Sequence, residues 1–255
     1  MQRSLIGRYF YRSPQRSFGS LFMIKSIRNL LYRPPAMPKS GEDFGEYQTN
    51  FVNAIRFTES CGLLVERPDW KPHERLEVEG SFLEPALRAA GVRDLTKAAF
   101  QCLKWSHYLA PHIEQQLGRK VWLTIGQIWR EDQALFSPTW NDLRSWSKQG
   151  ITIEEMHKPG SAGLNLHAWL TVDSGEVIEP TMMTSIATLY PDTYSHFLCA
   201  IGWGQPADIL SEHKYFPMAV GAEFAECLHS RSQIGLLASN PQELHSVPMA
   251  IVFGN

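Results

Sequence analysis

A cysteine, a histidine and a carboxylate are the residue types of nucleophilic acyl chemistry, and this chain sets one of each in series: Cys102, His167 sixty-five residues on, then Glu179. A thiol at its ordinary pKa near 8.5 is only a few per cent ionised at neutral pH. A helix N-terminus and a protonated imidazole each favour the thiolate, and together they can lower such a pKa by several units. A carboxylate fixes the imidazole tautomer and stabilises its charged form. Attack on a carbonyl then gives a thioester, resolved by water, an amine or another acceptor.

The elements that must position these groups are legible on either side of them. Residues 163 to 181 read as two short strands: Leu166 to Val172 and Glu176 to Ile178 are β-branched and apolar, and Asp173-Ser174-Gly175 supplies the turn. A three-residue turn sets Val172 opposite Glu176 and puts Glu179 on the face of His167, one diagonal step and roughly 7 Å away. A two-residue turn at Ser174-Gly175 reverses the parity and separates the pair. Upstream, residues 101 to 128 read as a helix, a stop at Gly118 and a strand. Thr96 is placed to cap the helix, and Ala98, Ala99, Cys102, Leu103, Leu109 and Ile113 form its buried stripe. With Thr96 as cap, Cys102 falls in the second turn, and Pro111 should kink the helix or split it at Ala110.

The order of these features resembles the transglutaminase-like branch of the papain-like cysteine enzymes: Cys near a helix head, Leu117-Gly118, a strand ending in Thr124-Ile125-Gly126, His167-Ala168-Trp169, and Glu179-Pro180-Thr181. The resemblance covers residues 96 to 181, with Glu where that family has Asp. It implies an α+β domain in which a nucleophile helix packs on a small antiparallel sheet. It also implies Cys102 as nucleophile, His167 as base and Glu179 as orienting carboxylate. The oxyanion donor is the side chain of Gln101 or the backbone amide of Cys102. The implied activity is cysteine-dependent chemistry on an amide of a peptide or protein substrate (hydrolysis, deamidation or acyl transfer), with no metal or organic cofactor. Two other readings stand beside it: a non-catalytic binding module on the same fold, with Cys102 as core packing, and an arylamine-acetyltransferase-like enzyme.

Bulk composition, with 44% hydrophobic and 20% charged residues in 255, fits a globular domain. Charge is uneven. Residues 1 to 41 carry eight basic and no acidic residues, leaving 16 basic against 26 acidic in the rest, which argues against a nucleic-acid enzyme. Cys61, Cys102, Cys199 and Cys227 have no zinc-type spacing, and in so long a chain they are expected to stay reduced in the cytoplasm. The apolar run Leu21 to Leu31 is broken by Lys25 and Arg28, too polar to span a membrane.

The organisation expected is therefore a basic, flexible arm over 1–41 and a papain-like domain over 42–255. The arm contains an amphipathic stretch, Leu21 to Leu31, compatible with organelle targeting or peripheral membrane contact, and ends in a proline-rich linker, Arg33 to Lys39. Within the domain, helices are expected over 43–63, 82–90 and 140–146, an insertion over 129–163, an extra strand at Ile151 to Ile153 and a flexible approach over 157–163. An extension follows residue 182, with helices over 183–189 and 219–229, a turn cluster at 202–206 and a terminal strand or tail at 248–253.

Overall fold

The computed structural model describes residues 32–156, 164–210 and 212–246. The amphipathic stretch at 21–31, the approach at 157–163 and the tail at 248–253 lie outside them.

The described elements, in chain order, are α1 (Tyr47–Ser60), α2 (Leu83–Ala89), α3 (Cys102–Leu117), β1 (Val121–Arg130) and β2 (Gln133–Phe136). They continue with α4 (Trp140–Gln149), α5 (Ile153–Met156), β3 (His167–Val172), β4 (Val177–Glu179), α6 (Met182–Leu189) and α7 (Pro191–Tyr194). The last are β5 (Gly202–Gly204), β6 (His213–Val220), α8 (Ala222–Arg231) and α9 (Pro241–His245). The fold is mixed α+β around one antiparallel sheet.

β1 organises the sheet. On one edge it pairs with β3, from Val121↔Val172 to Gly126↔His167, and further along with β2. On the other edge Thr124 to Arg130 pair with β6. β4 joins β3 and β5 joins β4. Of the ten residues of β1 only Arg130 is exposed, because helices cover both faces. Leu123 and Ile125 enter a core with Leu103, Leu109 and Ile113 of α3, while Trp122 packs against Phe51, Ala54 and Ile55 of α1. This double burial is why the strand reads as a near-continuous apolar run. Leu109 and Ile113 are fully buried, each stabilising the α3 packing by about 1.5–3 kcal/mol.

The strand expected to end at Thr124-Ile125-Gly126 runs on to Arg130, with Gly126 inside it. A Cβ there would run into the Phe216 carbonyl of β6 and stand 2.9 Å from the Trp169 ring. The backbone oxygen has no rotamer by which to withdraw, so Gly126→Ala is expected to cost about 1–3 kcal/mol. Thermal melting of the variant should fall by roughly 3–10 °C.

Several expectations are corrected. Thr96 does not cap the helix that carries Cys102: Asp94 accepts from its amide and caps a separate 3₁₀ turn, Leu95–Ala98. The chain then reverses at Phe100, whose φ of 61° is left-handed, and α3 begins afresh with Cys102 as its first residue. Pro111 does not split α3, which runs unbroken to the left-handed Gly118. Pro111 is exposed, so water can take the His107 carbonyl that loses its intrahelical donor. Ile151 to Ile153 is not a strand; Ile153 opens α5.

The segment at 202–206 begins as β5, not a turn, with Gly202 admitting the Ile209 and Met183 side chains at 2.8 Å from where a Cβ would be. The helix expected over 219–229 starts only at Ala222, because Ala219 and Val220 finish β6. Residues 133–136 of the expected insertion pair with β1, and the expected extension supplies both β5 and β6. Part of the arm also belongs to the body, since Tyr32 donates to the Asn53 carbonyl and Pro35 accepts from Trp140 Nε1.

Candidate active site

Two hydrogen bonds fix the head of α3 to the head of β3. Cys102 Sγ donates to the Leu166 carbonyl at 3.5 Å, and Ser106 Oγ, one turn later, donates to the Ala168 carbonyl at 3.1 Å. Four helical residues rise about 6 Å, and two strand residues span nearly the same. That match brings the first residue of the helix beside the strand residue next to His167. Cys102 is half-buried, at the position where helix amides lack intrahelical acceptors and the dipole is strongest.

The turn after β3 contains three residues: Val172 donates to the Glu176 carbonyl, and Leu170 and Thr171 face Ile178 and Val177. This register sets His167 and Glu179 on one face. His167 Nε2 donates to Glu179 Oε2 at 2.8 Å, so the neutral ring has its lone pair on Nδ1. The histidine is 2% exposed and the glutamate 0%, so water does not screen the pair. Burial alone pushes the imidazole pKa down from 6.5, but the Glu179 carboxylate, the charge of Cys102 and hydrogen bonds to both outweigh it and raise it to about 10.

The second carboxylate oxygen explains how a glutamate is held still. Oε1 accepts from the backbone N–H of Thr181 at 3.2 Å and of Met182 at 3.1 Å, at the head of α6. Glu179 therefore caps one helix while orienting the base of the site, an arrangement the positive end of α6 favours. Ser185 of α6 closes the circuit. Its hydroxyl donates to the Thr181 carbonyl and accepts from the Phe100 amide at 2.9 Å, tying the carboxylate's helix to the turn that precedes Cys102. A non-glycine left-handed residue costs about 1–3 kcal/mol, and the Phe100–Ser185 bond is one of the contacts that hold it.

Of the two oxyanion candidates, Gln101 turns one N–H of its Nε2 to the Lys97 carbonyl at 2.6 Å, with its Oε1 buried without a protein partner. The other is the backbone amide of Cys102, the first residue of α3. His107 is placed elsewhere, 3.5 Å from Glu226 of α8, and His112 packs on the Tyr108 ring.

Aromatic rings enclose the imidazole. Phe136 of β2 lies 5.0 Å from it, and Trp169 lies 6.1 Å away and within 20° of parallel. Phe136 was hidden from the sequence inside a stretch whose pairing with β1 has no motif. At the far end of the β1–β3 pair a hollow is lined by Arg67, Lys71, Arg119 and Lys120 among Glu66, Asp69 and Asp173. Its charges are already paired, Arg119 with Asp173 at 2.8 Å and Lys120 with Glu66 at 3.0 Å, and it lies away from the thiol. Among the described residues no three His, Cys, Asp or Glu side chains cluster as metal ligands, and no helix is long and apolar enough to cross a membrane. No protein-family model matches the chain, and no curated protein or solved structure is significantly similar to it.

Proposed function

We propose that the chain is a papain-like cysteine enzyme that acts on amide carbonyls, hydrolysing first and transferring acyl groups second. The observation that carries this reading is the buried imidazole held by Glu179 at 2.8 Å, with the Cys102 thiol at the head of α3 fixed to the carbonyl of Leu166, the residue before His167.

Each role follows from a position. Nδ1 of His167 takes the Cys102 proton while Nε2–H stays on the carboxylate. The sulfur attacks the carbonyl carbon, and the oxygen that becomes negative is received by the backbone N–H of Cys102 at the start of α3. Collapse of the tetrahedral adduct breaks the C–N bond, and the imidazolium returns its proton to the departing amine. Water, deprotonated by His167, then attacks the thioester carbon, releasing the acid and restoring the thiol. An amine in place of water gives transfer by the same steps.

The test is adduct formation on native protein. A brief incubation with p-nitrophenyl acetate followed by mass spectrometry of the peptides should find the acetyl group on Cys102 and not on Cys61, Cys199 or Cys227. Iodoacetamide at about pH 6 should show the same preference, because a protonated imidazole and a helix N-terminus both favour the thiolate. Reaction of Cys102 only after unfolding would make it a packing residue and leave the binding-module reading in place.

A further inference from the structure

Behind His167 runs a chain of hydrogen bonds between side chains of α1, β1 and β3. Trp169 Nε1 meets Tyr47 Oη at 2.8 Å, Tyr47 Oη meets Thr171 Oγ1 at 2.6 Å, and Thr171 Oγ1 meets Thr124 Oγ1 at 2.7 Å. Thr124 Oγ1 ends it at the Trp122 carbonyl, 3.3 Å away. The two ends set its direction. An indole N–H can only donate and a carbonyl can only accept, so each of the three hydroxyls accepts from the preceding group and donates to the next. Thr124 and Thr171 are fully buried, and burial raises the Tyr47 phenol well above its ordinary range, so it remains a neutral hydroxyl.

We infer that Tyr47 is a positioning residue for His167, acting through the Trp169 ring that lies parallel to the imidazole. The inference rests on the acyl-chemistry reading above. Trp169 is fully buried and its ring also meets Tyr215 edge-on at 5.2 Å, so its one polar atom has to be satisfied within the protein. Only the Tyr47 hydroxyl does that. Removing it leaves the indole N–H without an acceptor and Thr171 without its donor, and the ring no longer has a unique orientation against the imidazole. The groups that act on the imidazole charge directly, Glu179 and Cys102, are not part of the chain of hydroxyls. Tyr47 therefore affects how the base is held without entering the proton transfer. It lies in α1, outside the residues 96 to 181 that carry the nucleophile, base and carboxylate, and no spacing in the sequence links it to them.

The test compares Tyr47→Phe with wild type and with Thr171→Val and Thr171→Ser. In Tyr47→Phe, Cys102 alkylation by iodoacetamide at about pH 6 should slow by roughly three- to tenfold, with no change at alkaline pH, where thiols ionise without a base. Thr171→Val should show the same pattern, and Thr171→Ser, which keeps the hydroxyl, should restore the wild-type profile. A pH profile that superposes on wild type, with only a lower Tm, would make Tyr47 a structural residue and overturn the inference. Should Cys102 of the wild type lack selective reactivity, the acyl-chemistry reading itself fails. The inference is then decided by the ¹⁵N titration of the His167 ring: a midpoint shifted in Tyr47→Phe upholds it, and an unchanged one overturns it.

Discussion

Glu179→Gln is expected to leave the fold standing and to slow Cys102 alkylation at about pH 6 by roughly 10²–10⁴-fold. The reason lies in the tautomer. Glu179 Oε2 accepts from His167 Nε2, so the lone pair of the neutral ring is on Nδ1 and free to take a proton. A glutamine that keeps its carbonyl oxygen on the Thr181 and Met182 amides turns its NH₂ group toward Nε2. That group only donates, so Nε2 must accept and the ring proton moves to Nδ1. A ring protonated there cannot take the proton of Cys102. Glu179→Ala should behave differently. It strips both amides at the head of α6 of their acceptor in a fully buried place, and at about 1–3 kcal/mol for each it should destabilise by roughly 2–6 kcal/mol. Urea unfolding beside alkylation rates separates the two variants: a glutamine variant as unstable as the alanine variant, or as reactive as wild type, would refute the tautomer argument.

The second large effect is on stability as a function of pH. His167 holds its proton to about pH 10 in the folded protein, against 6.5 for the free side chain. Between those values the folded state binds more protons than the unfolded chain, so stability falls as pH rises. The contribution of the charged imidazole is fully present below about pH 6.5 and is lost as pH passes through 10, a total of a few kcal/mol. Urea midpoints of wild type and His167→Gln across this window should therefore diverge most at the acidic end and converge toward the alkaline end. Parallel curves would mean that the buried histidine is neutral throughout. In Cys102→Ser the convergence should come at lower pH, because the charge of the sulfur no longer helps to hold the proton.

What the sequence discloses here depends on the range of the interactions. His167, Glu179 and the three-residue turn lie within one hairpin, where strand parity alone relates them, and the parity reading agrees with the observed register. The stop of α3 at Gly118 was equally local. The start of α3 was not. Thr96 resembles a cap, and nothing in the one-dimensional pattern requires Phe100 to turn left-handed; one contact that holds that conformation comes from Ser185 of a helix more than eighty residues away. β6 was overlooked because Pro217 interrupts its apolar alternation and because Met218-Ala219-Val220 reads as well into the helix that follows. In the sheet the proline faces Gly126 beside a bulge on an edge strand, one of the few places a strand tolerates it. The side chain of Gln101 turns back on the Lys97 carbonyl, a local contact four residues away.

The edge that β6 provides bears on how the molecule is made. During synthesis Cys102, His167 and Glu179 have all left the ribosome once Glu179 has, yet the outer edge of β1 from Thr124 to Arg130 waits for His213 to Val220. Until then an unpaired strand stands open, a template for pairing with another nascent chain. Cys102, His167 and Glu179 are therefore not a portable cassette: a chain cut short before β6 would carry all three and leave an edge of β1 open to pairing.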